Sequence, residues 1–255
     1  MKILRRKPRA QISSKGPGYP VPIMQRMEPE VLKLFLPMID ETRREIKRSG
    51  IASMDSAMSD IAAIIDRIYN KYMPGIAMQA QAIANRFLSD INRYSVKSLE
   101  STLKDFSLRF TDSSPSIDRK IGDLSAEFVA MIKRVGERHH GRILKAVSKG
   151  SGAAGIFEEL MNIEGVTRSI AKNIAEDQTR KMTSTINAVR LQDAGVTKFR
   201  WLHSSGGKTQ RPLHVEADGQ IYSYNDPPHI GDDGGPTLPG LEPNCRCRAI
   251  PELTF

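Results

Sequence analysis

Apolar residues recur every three to four positions across most of residues 29–150, and this period predicts long amphipathic helices. Pro74-Gly75 separates the first two apolar stripes, and Ser113-Ser114-Pro115 sets the third apart. The helices are expected to form a bundle or an extended hairpin, with each stripe serving either as core or as a surface for a partner helix. The stripes are Ala57, Ile61, Ile64, Ile65, Ile68 and Tyr72; Ile76, Ala80, Ile83, Phe87, Ile91 and Tyr94; and Ile121, Leu124, Phe128, Met131, Val135, Ile143 and Val147.

The pattern changes after the polar, glycine-containing segment 149–152. A short helix is predicted from about Ile156 to Met161, followed by a long helix from about Val166 to Ala194. Gly195 stands where a glycine ends such a helix. Alternating residues then predict short strands around Phe199–Trp201 and Ile221–Tyr224, among turns rich in Gly, Pro, Asp and Asn.

These elements predict a predominantly α-helical α+β fold. An elongated helical N-terminal region would precede a small α+β C-terminal domain with short strands and irregular loops. The predicted organisation is a basic extended arm at 1–25, a helical region at 26–150, and a C-terminal domain at 151–255.

The charge of the chain is concentrated near its start. Residues 1–50 hold twelve Lys or Arg and five Asp or Glu, so seven of the nine net positive charges lie there. Prolines in the first 25 residues disfavour regular structure, and the segment is either a disordered tail or an arm that docks on a partner or on double-stranded DNA. The candidate DNA contacts are Arg5, Arg6, Lys7, Arg9 and Lys15.

Composition argues against a membrane-spanning, secreted or disulfide-rich protein. No run approaches the ~18 apolar residues of a membrane-spanning helix, and the start does not have the form of a signal peptide. Two cysteines one residue apart form no disulfide framework, which fits synthesis in a reducing cytoplasm. His139 and His140, flanked by Arg138 and Arg142, are expected at a solvated basic helix end.

The C-terminal region carries the candidate chemistry. His214, Cys245 and Cys247 are residue types that bind zinc, and His203 or His229 could supply a fourth ligand for a structural site. The competing interpretation is a pair of buried thiols, because C-x-C is not the usual zinc-knuckle spacing. Pro212 predicts an extended Arg211, which we expect to pair with Asp218 or Asp226.

Two enzymatic patterns are weaker. Gly207-Lys208-Thr209 imitates the end of a phosphate-binding loop, but Leu202 stands where that loop requires glycine. His214, Asn225 and His229 resemble a degenerate metal-nuclease motif without a completing carboxylate pair.

The charges at Asp177–Arg180 are expected on a solvated helix face.

An ordered series of short motifs runs through residues 165–251. It resembles the Mu F-like phage head morphogenesis family, whose members are minor head proteins. In place of an acidic residue that the family often has before its Arg-Pro element, this chain has Gly206–Gln210, so a pairing between that acid and the arginine is either lost here or supplied from elsewhere. The matching residues are Asp177, Gln178, Thr179, Trp201, Arg211, His214, Asp218, Gly219, Asp226, Pro239, Asn244, Cys245, Arg246 and Cys247.

The resemblance implies a non-enzymatic virion component, present in few copies at the portal vertex or inside the head shell. Its implied partners are the portal protein or the major capsid protein, and some family members resemble proteins that accompany DNA during ejection. Two alternatives stay open. One is a metal-dependent hydrolase or injected toxin that uses the His/Cys cluster, and the other is a DNA-binding protein without a virion role.

Overall fold

A computed structural model describes residues 16–48, 56–149, 152–205 and 210–253. The described residues form five helices and three strands, which confirms the predominantly helical α+β fold. The helices are α1 (Val21–Arg48), α2 (Ser56–Thr102), α3 (Pro115–Ser148), α4 (Gly152–Asp193) and α5 (Pro212–Glu216), and the strands are β1 (Lys198–Leu202), β2 (Ile221–Ser223) and β3 (Arg248–Glu252).

Helix α2 corrects the break predicted at Pro74-Gly75, because it continues through both residues. A proline inside a helix costs about 3 kcal/mol. Ile68 before the proline and Ile76 after it are both buried, so the apolar face continues across the proline. Burial of this face on both sides offsets the lost backbone hydrogen bond.

Helix α4 corrects a second predicted break, between Met161 and Val166. The helix is continuous through Gly165, since Ile163 and Thr167 are both buried and keep one face of the helix in contact with the core. A single glycine costs only about 1 kcal/mol in a helix, and this burial outweighs it. Helix α1 likewise begins at Val21, so the end of the predicted extended arm is helical.

Gly195 caps the C-terminus of α4, as the sequence predicts. Gly195 adopts a φ of +86°, which a residue with a side chain rarely adopts. Its N–H donates to the Gln192 carbonyl (2.9 Å), and the Val196 N–H donates to the Leu191 carbonyl (2.8 Å). This is a Schellman motif, and its usual apolar contact is available because Leu191 and Val196 belong to one buried cluster.

The three strands form an antiparallel sheet in the order β2-β1-β3. Phe199 of β1 pairs with Tyr222 of β2 on one side and with Pro251 of β3 on the other. The two predicted strands are confirmed in β1 and β2. Strand β3 was not predicted, because its Pro251 and its charged ends hide the alternation.

The chain divides into two compact units, each built from segments distant in sequence. Of the described residues, the first unit contains 16–24, 87–124, 176–205 and 210–253, and the second contains 25–48, 56–86, 125–149 and 152–175. Helices α1 to α4 each contribute residues to both units. The division into consecutive segments at residues 25 and 150 remains a prediction.

The second unit is helical, and its core contains some residues of the predicted apolar stripes together with residues of α1. Phe35, Ile68 and Phe128 are almost fully buried there. Ion pairs at the rim join its helices, among them Arg43–Glu164 between α1 and α4 and Arg142–Glu159 between α3 and α4. Such exposed pairs each contribute about 1 kcal/mol or less, so apolar burial supplies most of the stability of this unit.

His139 corrects the expectation of a solvated helix end, because it is only 1% exposed. Its ring packs edge-on against Phe35, with the ring centroids 5.3 Å apart. Burial, reinforced by the positive charges of Arg142 and Arg138, lowers its pKa to about 4. Its neighbour His140 instead stacks on Tyr69 and contacts Asp66 at 2.6 Å.

The first unit contains a buried arginine that is satisfied mainly by neutral groups. The Arg190 guanidinium donates to Ser95 Oγ, to Asn92 Oδ1 and to the Thr111 carbonyl, the last at 3.1 Å. Burial lowers the pKa of Arg190. These bonds join α4 to α2 and to the segment before α3, and they satisfy a charge that would be costly to bury alone.

In the described part of the chain, every helix is too short or too polar to cross a lipid bilayer.

Acidification is expected to destabilise the second unit through His139. In the unfolded chain the imidazole takes up a proton near pH 6.5, whereas in the folded protein it does so only near pH 4. The free energy of unfolding should therefore fall by up to about 3 kcal/mol as the pH drops through this window. Chemical denaturation at several pH values measures the effect.

His139→Gln removes the titrating group and should flatten this part of the pH profile. His229→Gln is the matched control, since His229 is exposed. Equal pH dependence in wild type and His139→Gln would contradict the assignment.

Candidate functional site

One face of the small sheet is packed with aromatic side chains. Phe199 and Trp201, two residues apart on β1, are fully buried on the same face. The Phe199 ring lies 4.8 Å from that of Tyr224 and 5.9 Å from that of Tyr222, measured between centroids. The same buried cluster contains Leu99, Leu103 and Leu191, which come from the C-terminal ends of α2 and α4.

His214 lies against this aromatic face. Arg211 has an extended backbone (φ −78°, ψ 121°), as predicted from the following proline, and Pro212 begins the short helix α5. The helix places His214 edge-on to Trp201, with 5.0 Å between ring centroids. The imidazole is 2% exposed, and its Nδ1 lies 3.6 Å from Cys245 Sγ and 3.8 Å from Cys247 Sγ.

The two cysteines precede β3 in an extended segment. Cys245 and Cys247 are buried, whereas Arg246 between them is exposed, so the alternation directs both thiols to the same side. The turn before them requires Asn244 at a φ of +59°, a conformation that asparagine tolerates better than most residues. The Cys245 N–H donates to the Glu242 carbonyl (2.9 Å) and closes this turn.

The two thiols differ in acidity. The pKa of Cys245 is lowered, because the Cys247 side chain and the backbone N–H groups of Cys247 and Gly240 donate to its sulfur. The pKa of Cys247 is raised by its contact with Cys245 and by burial. Cys245 is therefore the thiol that ionises first.

Asp177 fixes the turn that carries the cysteines. Its Oδ1 accepts the backbone N–H of Asn244 at 2.9 Å, across 67 residues of sequence. Burial raises the Asp177 pKa, and the Asn244 N–H opposes this shift. Arg180, which pairs with Glu176 at 2.6 Å and with Asp177 at 3.2 Å, is only 6% exposed. The expectation of a solvated face at Asp177–Arg180 is therefore wrong.

Arg211 forms a two-pronged ion pair with Asp232. Its Nε donates to Oδ1 at 2.5 Å and one terminal nitrogen donates to Oδ2 at 2.7 Å, and this nitrogen also donates to the Pro243 carbonyl at 3.0 Å. This corrects the predicted pairing with Asp218 or Asp226. Asp232 is the acid supplied from elsewhere in the chain, and the pair joins the start of α5 to the loop before β3.

Tyr19 is a residue of this site that the sequence did not reveal. Its hydroxyl donates to the Cys247 carbonyl at 2.5 Å and lies 3.1 Å from Ser184 Oγ, and Arg248 lies over its ring. Burial raises its pKa. A Cβ atom at Gly240 (φ +88°) would lie 2.2 Å from the Tyr19 oxygen, so this glycine is required by close approach as well as by its backbone conformation.

The remaining motif residues mostly support the backbone. Asp218 accepts the backbone N–H of His203 at 2.8 Å, and Gly219 turns the chain into β2 at a φ of +76°. Thr179 and Pro239 are buried, Gln178 is half-buried, and Asp226 and Arg246 are exposed.

Only part of the predicted ligand set converges. Among the described residues, one group of potential metal ligands has all its ligand atoms within 4.8 Å of one another, and it consists of His214, Cys245 and Cys247. His203 lines a small cavity beside this group without joining it. Asn225 accepts a hydrogen bond from Gln192 instead, and His229 is exposed. Arg5, Arg6, Lys7, Arg9, Lys15 and the segment 206–209 lie outside the described residues.

Tyr19→Phe is expected to lower the free energy of unfolding of the first unit by about 1–2 kcal/mol, because the Cys247 carbonyl and Ser184 lose a buried partner. Tyr19→Ala should cost about 3–5 kcal/mol, since it also leaves a cavity. Denaturant unfolding monitored by Trp201 fluorescence measures both. Tyr222→Phe is the control, because the Tyr222 hydroxyl takes no part in these contacts; equal losses in Tyr19→Phe and Tyr222→Phe would contradict the role of the Tyr19 hydroxyl.

Part of the chain that contains this site matches a known protein family. Residues 139–250 match the family model described as Phage Mu protein F like protein. Most of the chain is similar to a Haemophilus influenzae protein that is named only as uncharacterized, with 28% identity over 252 residues. The alignment covers 92% of this chain but 55% of that relative, so the chain spans about half the length of the curated protein it matches. No solved structure matches significantly. The matched residues 139–250 include β1, α5, β2 and the cluster of His214, Cys245 and Cys247, so the similarity to the Phage Mu protein F like family covers the candidate site.

Proposed function

We propose that this chain is a minor head protein of a tailed phage that acts in head morphogenesis. The family match over residues 139–250 carries the proposal. The protein would be made in the host cytoplasm and incorporated in few copies into the virion, at the portal vertex or inside the shell. Its partners would be the portal protein, the major capsid protein, or both.

The contacts of the motif residues support a scaffolding role for the matched domain. Asp177 holds the turn at Asn244, Arg211 holds the loop at Asp232, and Asp218 holds the backbone at His203. Each of these polar side chains is engaged within the fold. These contacts stabilise the conformation of a small domain, and a domain that docks on a partner needs such a fixed conformation.

Exposed apolar side chains in the same domain favour docking on another protein. Leu213 and Val215 flank the buried His214 on α5 and are 50% and 44% exposed, and Ile221 at the start of β2 is 46% exposed. Large apolar residues that remain on the surface of a small domain commonly mark interaction sites. We propose this part of the domain as the surface that contacts the head.

The basic N-terminus supports a contact with DNA. Residues 1–15 hold six Lys or Arg and no acidic residue. The described residues begin at Gly16, and the Tyr19 hydroxyl donates to the Cys247 carbonyl within the first unit. In this proposal the basic segment touches packaged or ejected DNA while the domain stays docked.

Heads purified from a phage that encodes this chain should contain it at low copy, and a portal pull-down from the same lysate should recover it. Quantitative mass spectrometry measures both. Leu213→Asp combined with Val215→Asp should reduce incorporation about tenfold or more, which corresponds to a loss of about 1.4 kcal/mol of binding free energy. Met78→Asp is the control, because Met78 is 75% exposed in the other unit.

Circular dichroism of the purified variants establishes that each one folds. Absence of the wild-type protein from both heads and portal complexes would overturn the proposal and favour the hydrolase or toxin alternative. Incorporation of the Leu213 and Val215 variant at the wild-type level would overturn the docking surface alone.

DNA binding should depend less on salt when the N-terminal charges are removed. Replacing Arg5, Arg6, Lys7, Arg9 and Lys15 by Gln should reduce the slope of log K against log salt by up to about 4.5, since each lost phosphate contact removes about 0.9. Fluorescence anisotropy with a DNA duplex measures the slope. A deletion used for the same purpose should end at residue 15, because removing Tyr19 would damage the fold.

A charge-matched control neutralises five exposed basic residues elsewhere and should retain most of the slope. An unchanged slope in the N-terminal variant would contradict a role for this segment in DNA binding. The control residues are Lys33, Lys133, Arg134, Arg138 and Lys172.

A further inference from the structure

Two thiols converge on one imidazole nitrogen in the interior of the C-terminal domain. Cys245 Sγ and Cys247 Sγ lie 3.6 Å and 3.8 Å from the same atom, His214 Nδ1. A ring nitrogen has one lone pair or one hydrogen, so it can form one well-directed hydrogen bond and not two. Thiol–imidazole hydrogen bonding therefore accounts for only one of the two sulfurs, and the other is left with its contact to the first thiol.

A metal ion among the three atoms accounts for both. Zinc binds thiolate sulfur at about 2.3 Å and imidazole nitrogen at about 2.0–2.1 Å in tetrahedral geometry. These bond lengths place nitrogen and sulfur about 3.5 Å apart and the two sulfurs about 3.8 Å apart. The nitrogen–sulfur distances in this protein are 3.6 Å and 3.8 Å, and all three ligand atoms lie within 4.8 Å of one another.

The donor atoms of the three side chains indicate which metal would bind. Two sulfurs and one nitrogen favour zinc or another soft to borderline metal over Ca²⁺ or Mg²⁺, which prefer oxygen ligands. All three side chains are nearly fully buried, at 2% for His214 and 3% for each cysteine. Burial of this kind is typical of a structural metal site.

A fourth ligand position faces a cavity beside the cluster. The cavity has a volume of about 30 Å³, enough for a water molecule, and its lining includes His203, Gln210 and Arg211. His203 is the second imidazole in this lining, besides His214. Either His203 or a water molecule could complete a tetrahedral site.

We propose that His214, Cys245 and Cys247 bind a structural zinc ion that fastens α5 to the segment preceding β3. Residues 224–247 are all described, and they contain no helix or strand. Irregular segments of this length are uncommon in small domains unless something holds them. Zinc binding contributes directly to folding free energy, and it would fix this segment at its C-terminal end. The inference concerns metal content and stability, and it is independent of head assembly.

The experiment uses the full-length chain, expressed with zinc and purified under reducing conditions. Elemental analysis should find about one zinc ion per chain. Removing zinc with a chelator and adding Co²⁺ should produce sulfur-to-cobalt charge-transfer absorption, which requires thiolate ligands. Zinc should also raise the Tm of the metal-free protein and protect both thiols from alkylation.

Cys245→Ser, Cys247→Ser and His214→Asn should each lose most of the bound zinc and the wild-type charge-transfer spectrum. His229→Asn is the matched control, an exposed histidine of the same unit, and it should retain both. His203→Ala identifies the fourth ligand: an altered cobalt spectrum assigns His203, and an unchanged one assigns water, while both outcomes keep the three-residue site.

The wild-type protein alone can overturn the proposal, so it does not depend on the folding of any variant. A folded, reduced wild-type chain that contains no zinc, shows no charge-transfer absorption with Co²⁺ and gains no thermal stability from zinc would leave the cluster as two buried thiols. Equal metal content in wild type and in Cys245→Ser or Cys247→Ser would overturn the assignment of ligands.

Discussion

The first unit depends on burial of one face of a three-stranded sheet. Three short strands are barely stable by themselves, and they need an apolar surface to pack on. Phe199 and Trp201 supply that face, and Leu99, Leu103 and Leu191 at the ends of two long helices supply the opposing surface. With this surface covered, Trp201 presents its ring to His214, and both cysteines lie in the same buried cluster.

Polar contacts then position the irregular segments that the sheet cannot hold. Asp177 holds the Asn244 turn, the Arg211–Asp232 pair holds the long loop, and the Tyr19 hydroxyl contacts the Cys247 carbonyl. Each contact joins segments at least 21 residues apart in sequence. The motif residues are therefore mostly engaged in structural contacts, whereas Leu213 and Val215 of the same domain are exposed to solvent.

Much of the fold was predictable from short-range patterns. The apolar stripes located the long helices, Gly195 marked the end of α4, and the alternation around Phe199 and Tyr222 located two strands. Two predicted helix breaks are absent from the structure, because a residue that disfavours helix locally does not always end one. Pro74 and Gly165 disfavour helix locally, but burial on either side exceeds their cost of a few kcal/mol. Strand β3 went unpredicted because its pairing with β1 is what makes that segment extended.

The sequence by itself determined the helical periodicity, the candidate zinc ligands His214, Cys245 and Cys247, and the ordered motifs that resemble the Mu F-like family, because residue type and spacing carry these. The tertiary structure alone decided the partner of Arg211, which is Asp232, and the place of Tyr19 beside Ser184 and Gly240. It also decided that His139 is buried, and that His214 meets both thiols while His203 stays apart from them. These outcomes depend on contacts between segments tens to hundreds of residues apart. No local pattern encodes which segments pack together, since that choice follows from the burial of the whole apolar surface.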